Sequence, residues 1–233
     1  MYGQAYNPLQ SQSVDVPFEQ PKSLFRFGEI SLWSSYFFAG SSALANSTNR
    51  LFSVARGSTG QGFTRGLSIA ETSLKEAGRV PSGVAYDVFG VACQIEKSSG
   101  ADDTSTTVGS PIDTDATIGD LLNIQANGIL SWDFTQTVVE ICPVSLAGAG
   151  GGAFGSLAVA DGGVSPAAIT QVGHMNNGNG QVWMYRKHPV ALPGNTTFAV
   201  NLAFGSRAAA VSTNGTVVRI VLLGYYKNII EIG

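Results

Sequence analysis

VAYDVFGVACQIE, residues Val84 to Glu96, is the stretch on which the reading of the fold turns. It is rich in the β-branched and aromatic side chains that suit a pleated surface, and it contains no proline. In an extended chain, alternate side chains point to opposite faces. One set is Ala85, Asp87, Phe89, Val91, Cys93 and Ile95; the other is Tyr86, Val88, Gly90, Ala92 and Gln94. The first set is apolar apart from Asp87, so the alternation predicts a long strand with that set turned toward a core.

Working outward, the same texture recurs. Short apolar runs rich in Phe, Tyr, Val, Ile and Thr are separated by Gly, Ser, Asn and Pro. Before the long strand, the pattern predicts strands at Leu24–Ile30, Trp33–Phe38, Arg50–Val54 and Gly66–Ala70. After it come Ile129–Phe134, Thr137–Val144, Gln181–Arg186, Thr197–Phe204 and Val217–Tyr226. In the last of these, Val218, Ile220, Leu222 and Gly224 oppose Val217, Arg219, Val221, Leu223 and Tyr225. Two largely apolar faces predict a strand in the middle of a sheet, covered on both sides. Only Thr117–Gln125 reads as a helix, with Ile118, Leu121, Leu122 and Gln125 spaced as one face. Strands without a regular strand–helix alternation leave an all-β sandwich or barrel as the economical fold, and an antiparallel β-sandwich is the expectation. Ser98–Ala116 and the Gly-rich Ala147–Gly180 read as long connections at one end of it.

At 233 residues the chain is of a size that sandwiches form as one domain. Residues 1–22 are rich in Gln, Ser and Pro and poor in large apolar side chains, so they read as a flexible N-terminal arm ahead of a domain over 23–233. The arm holds Lys22 against Asp15 and Glu19, unlike the basic arms that neutralise nucleic acid. The whole chain carries a net charge of −3, which argues against binding nucleic acid through a basic field. Charged residues make up 12% of the chain, about half the usual share of ~25%, so part of the surface is expected to lie against neighbours. No run is apolar over the ~20 residues of a membrane-spanning helix, and MYGQAYNPLQSQSVDV lacks the character of a secretion signal; the expectation is a protein made in the cytosol. Cys93 and Cys142 stand far apart inside apolar runs and read as buried free thiols.

Candidate chemistry is sparse. His174 and His188 are too few and too far apart for the His-rich metal site of a cupin-like enzyme, and no Gly-x-Ser-x-Gly elbow is present. RGSTGQGF (Arg56–Phe63) lacks the Lys-Ser/Thr pair of a phosphate-binding loop and reads as a turn whose Gly57, Gly60 and Gly62 permit positive φ. Asp102, Asp103, Asp113, Asp115 and Asp120 form an oxygen-rich stretch without the calcium-loop spacing, so a solvated loop is expected. Phe25, Phe27, Trp33, Tyr36, Phe37 and Phe38 crowd one region. Phe37 and Phe38 must face opposite ways; core packing of these aromatics is the favoured reading, with one of the two meeting a partner as the alternative. Asn46, Asn195 and Asn214 begin sequons that need a secretory route to matter. Neither catalytic residues, metal ligands nor a cofactor is expected.

Charge is segregated. Residues 98–185 hold eight acids and neither Lys nor Arg, while 186–233 carry Arg186, Lys187, Arg207, Arg219 and Lys227 against Glu231. Either the two regions neutralise each other within one subunit, or acidic loops of one copy meet basic loops of the next.

Four signatures occur in order: LFRFGEISL with SSYFFAG, then GQGFTRGLSIAETSLKEAGRVPSGVAYDVFGVACQI, then MYRKHPVALPGNTTFAVNLAF, and finally VVRIVLLGYYKNIIEIG. This layout, over about residues 23–97 and 181–233, resembles the jelly-roll major capsid proteins of tailless icosahedral bacteriophages. The resemblance implies two four-stranded sheets packed face to face and many copies per shell. It also implies a non-enzymatic role in the virion, with partners limited to further copies of the chain and other virion proteins. A single, elaborated jelly roll is favoured by the length, with a compact double jelly roll as the alternative. The competing function is a carbohydrate- or surface-binding sandwich module, since exposed aromatics and Asp loops also bind sugars.

Overall fold

In a computed structural model of the protein, the described residues are 23–98, 114–134, 137–148, 157–159, 171–173, 182–185 and 187–231. The strands are β1 (Ser23–Phe38), β2 (Thr48–Leu51), β3 (Val84–Lys97), β4 (Gly128–Phe134), β5 (Thr137–Pro143), β6 (Leu157–Val159), β7 (Gln171–Gly173), β8 (Trp183–Met184), β9 (Val190–Leu192), β10 (Phe198–Phe204) and β11 (Thr216–Glu231). One helix, α1 (Thr114–Asn127), and a 3-10 turn at Val144–Leu146 complete the set. The arm expected over residues 1–22 lies outside the described residues.

Two antiparallel sheets make a sandwich. The first runs β1-β11-β3-β8, with β9 also on β3; the second runs β2-β10-β4-β5; β6 and β7 pair separately. The pairing follows a single long hairpin rolled up on itself. β1 lies against β11, β2 against β10, β3 against β8 and β9, and β4 against β5. Rolling then brings β11 onto β3 and β10 onto β4. Successive strands of the two sheets thus change sheet except at β4–β5 and at β8–β9, which both lie on β3; this is the winding of a jelly roll. One such set accounts for both sheets, so the described residues form a single roll.

The core lies between the sheets, where Val88, Val91 and Cys93 of β3 and Val218, Ile220 and Leu222 of β11 meet Leu130 and Trp132 of β4 and Phe198, Val200 and Leu202 of β10. Aromatic rings join it end to end: Phe52 against Phe198 at 5.6 Å, Trp132 against Phe198 at 6.3 Å, and Phe38 edge-on to Phe204 at 5.9 Å. Trp132 Nε1 donates across the sandwich to the Tyr185 hydroxyl at 2.7 Å, so the buried indole keeps its hydrogen bond.

Several expectations are corrected. The two predicted strands Leu24–Ile30 and Trp33–Phe38 are one, because Ser31 and Leu32 stay in register with Leu223 and Leu222. Gly66–Ala70 is not a strand. The Glu71 carboxylate accepts from the Ser68 N–H at 2.7 Å, the Ser68 hydroxyl at 2.5 Å and Arg65 at 2.9 Å, folding the segment into a tight turn. The alternation of β3 changes phase midway: Tyr86 and Val88 are buried in its first half, Val91, Cys93 and Ile95 in its second. Opposite Leu223 and Gly224 the register passes from Gly90 to Val88, and the extra residue, Phe89, is a bulge. Ala85 and Phe89 therefore leave the core face.

β11 is central, as expected, with Val218, Ile220 and Leu222 fully buried, but Val217, Arg219, Val221 and Leu223 opposite them remain half-exposed. The helix extends beyond Thr117–Gln125, and its buried residues are Asp120, Leu121 and Ile124, while Leu122 is 51% exposed. β8 is shorter than the predicted Gln181–Arg186, and β9, just past Pro189, was not foreseen because three residues give too short a pattern.

Candidate functional site

The connection from β2 to β3 is the first element that shapes the surface. Instead of hanging free, it folds over the outer face of the first sheet. Gln61 fastens it: the side-chain amide donates to the Ser34 hydroxyl at 2.8 Å and the Ser35 carbonyl at 2.6 Å, and its oxygen accepts from the N–H groups of Ser53 and Val54 at 3.1 and 3.2 Å. The Gln61 carbonyl also accepts the Phe37 N–H at 2.9 Å, and Ser73 exchanges bonds with Trp33 farther along. These bonds satisfy part of the otherwise open edge of β1. Beneath the connection, Phe37, Phe63 and Leu67 form a small second core with Val54 and Val217. Of the adjacent aromatics, Phe38 enters the main core, and Phe37 meets the chain's own loop rather than a partner.

RGSTGQGF is the tip of this connection. Gly57, Gly60 and Gly62 have φ of +85°, +146° and +80°, as the turn reading expected. Gln61 sits at +54° and is buried, so the segment is an anchored turn.

Past the edge of the connection, the outer face of the first sheet stays apolar. Trp33, Val221 and Leu223 are half-buried, Tyr225 is 41% exposed and packs on Phe89 with centroids 5.0 Å apart, and Met184 is 46% exposed. Arg219 lies in this face, 3.3 Å from Glu96 and 3.1 Å from the Gln94 amide oxygen.

Among the described residues, β5 is one of the two edge strands of the second sheet, with β2 at the other end. The first four residues of β5, Thr137 to Glu140, are all exposed, with Val138 at 64% and Val139 at 48%. Val139 lies opposite Trp132 and Val138 opposite Asp133, so both faces of the strand are open there. Nearby Ile129, on β4, and Leu146, in the 3-10 turn after β5, are also exposed, at 43% and 44%. An edge strand with two exposed valines and a single carboxylate is poorly protected against pairing with another chain.

The residues singled out in the sequence do not converge. Asp102, Asp103 and Asp113 lie outside the described residues, as does His174; His188 is exposed. Asp120 belongs to the helix, where it is 5% exposed and accepts from the Ser212 N–H at 3.0 Å and its hydroxyl at 2.6 Å. Asn123, one turn on, both accepts from Ala209 N–H and donates to its carbonyl at 3.0 Å, so the pair clips α1 to the β10–β11 loop. Asp120 is thus a structural carboxylate and not part of an acidic loop. Among the described residues, no three His, Cys, Asp or Glu side chains are placed to hold a metal ion, and no helix is long and apolar enough to cross a membrane.

Cys93 and Cys142 are buried free thiols, as expected. Burial, and then the nearness of Cys142, push the Cys93 thiol up to about 12; burial pushes Cys142 up to about 11. Neither is a thiolate at neutral pH, so neither is a nucleophile. At Glu71 burial works to raise the carboxyl, but hydrogen bonds from Arg65 and Ser68 outweigh it and hold the group at about 2.

The ion pairs that involve these two regions join them to other parts of the subunit rather than to each other. Lys227 lies 2.8 Å from Asp87 and Arg219 pairs with Glu96, while Asp133 of the acidic half meets Arg50 at 3.3 Å. Lys187 and Arg207 remain exposed.

Comparison with protein-family models, with curated proteins and with solved structures gives no match.

Proposed function

We propose that this chain is a structural virion protein, the coat subunit of a tailless virus, which self-assembles into an icosahedral shell after synthesis in the host cytoplasm. The single observation that carries this reading is the open β4–β5 side, where Val138, Val139, Ile129 and Leu146 leave an apolar margin on a sheet edge. In water such a margin favours association, and an edge strand gives the association direction. The roll supports the reading without specifying it, because one fold hosts many functions. The low charge content and the sequence resemblance to tailless-phage capsid proteins point the same way.

On this reading the partners are further copies of the chain and other virion proteins. The chain has no catalytic role and does not bind nucleic acid by sequence. Light scattering of the purified protein across concentration, combined with retention on immobilised glycans, tests the proposal. Growth into large, uniform particles without glycan retention supports a coat; a small soluble oligomer that retains glycans supports a sugar-binding module instead.

A further inference from the structure

At the end of the sandwich where β1, β3 and β11 pass the start of β10, a cleft of ≈ 290 Å³ opens between the sheets. Its walls are apolar: Leu32 of β1, Leu74 and Val80 of the β2–β3 connection, Val84 of β3, Phe198 of β10 and Tyr226 of β11. The polar groups that reach the lining from inside are already engaged. The Tyr86 phenol donates to the Leu222 carbonyl at 3.1 Å and contacts the Ile30 carbonyl. The Ser73 hydroxyl accepts from the Trp33 N–H at 2.9 Å and donates to the Trp33 carbonyl at 3.2 Å.

The rim differs. Lys75 and Arg79 both line the cleft and both are exposed. Arg79 bonds the neutral Asn195 side chain at 2.8 Å, which leaves its charge uncompensated. Lys75 has no ion-pair partner among the described residues. An apolar cleft with two cations at its mouth matches one ligand chemistry, a hydrocarbon tail ending in an anion.

We propose that the cleft binds a medium-chain fatty acid, its alkyl chain between the sheets and its carboxylate at Lys75 and Arg79. The size suits one chain rather than two: at ≈ 290 Å³ the cleft stands at the small end of ligand sites, which run from about 300 to 1,000 Å³. The site is independent of any shell, since every residue in it comes from one subunit.

The test is calorimetric titration of the full chain with dodecanoate below its micelle concentration, with dodecanol as the uncharged control. The expected result is saturable one-to-one binding. Substituting K75E and R79E together should weaken dodecanoate by about tenfold or more, as the loss of charge-assisted contacts implies, while dodecanol binding stays within about twofold. Both residues are exposed, so this variant keeps its fold, shown by an unchanged melting temperature. V84W, which fills the slot, should abolish binding of both ligands. Absence of saturable dodecanoate binding overturns the proposal, as does equal binding by the doubly substituted chain. Competition by a peptide of residues 1–22 that displaces dodecanol as well would show that the cleft belongs to the chain's own N-terminal segment, and would also overturn it.

Discussion

The Gln61 side chain holds five bonds from a position with positive φ, and each of its partners is a backbone group or a hydroxyl. Q61L removes the side-chain partner of the Ser53 and Val54 N–H groups and of the Ser35 carbonyl, while the Ser34 hydroxyl still accepts from the Phe52 N–H. The expected cost is about 1–3 kcal/mol in denaturant unfolding. A loss under ~0.5 kcal/mol would mean the loop is held by its apolar contacts alone. Two neighbouring glycines separate backbone strain from close contact. A Cβ on Gly62 would stand 1.8 Å from the Phe37 carbonyl oxygen, whereas one on Gly57 meets nothing within 4 Å, at nearly the same φ. G57A should therefore cost about 1–2 kcal/mol, the left-handed penalty alone, and G62A clearly more, read from the same unfolding curves.

Glu71 adds a pH dependence of known sign. Its folded carboxyl titrates at about 2, below its ordinary value of 4.5, so its contribution is present above ~4.5 and is lost as pH falls toward 2. E71Q should flatten the fall in melting temperature over that window; an unchanged profile would show that the Ser68 turn does not depend on the charge. The sequence revealed the glycines' positive φ but not Gln61, because a glutamine between glycines looks like any solvated loop residue until the strand it caps is known.

Among the elements, β11 was the most legible. An apolar strand of that length has few places to go but between two others, and it lies between β1 and β3. L222A, at a fully buried position, should cost about 2–5 kcal/mol. β3 was legible as a strand but not in its facing, since a bulge at Phe89 shifts every residue before it to the opposite face, and nothing in a period-two pattern announces the inserted residue. The helix face was misjudged for a related reason: Asp120 is drawn inward by Ser212, a contact 92 residues distant that local spacing does not encode. At the β5 edge, V138K with V139K places charge on two exposed positions. Monomer melting should change little, within about 0.5 kcal/mol, while self-association measured by light scattering falls sharply. Undiminished association would remove β5 from the contact.

At the scale of the molecule, periodicity and turn residues indicated two packed sheets but not the order of their strands. The rolled-hairpin order is set by pairs such as Ser23 with Glu231, which no local window spans. Of the Asp-rich stretch read as a solvated loop, Asp115 and Asp120 belong to the helix, where Asp120 binds Ser212, and Asp102, Asp103 and Asp113 fall outside the described residues. What remains as candidate machinery is surface: an apolar sheet face, an open edge and exposed cations. On the proposed reading, such a subunit acts by meeting copies of itself, with residual charges setting register. Electron cryo-microscopy of the purified full-length chain tests this most directly. Closed shells of uniform diameter, with Val138 and Val139 buried between neighbouring subunits, are the predicted result; a monodisperse single subunit at every concentration and salt, or shells in which both valines face solvent, would contradict it.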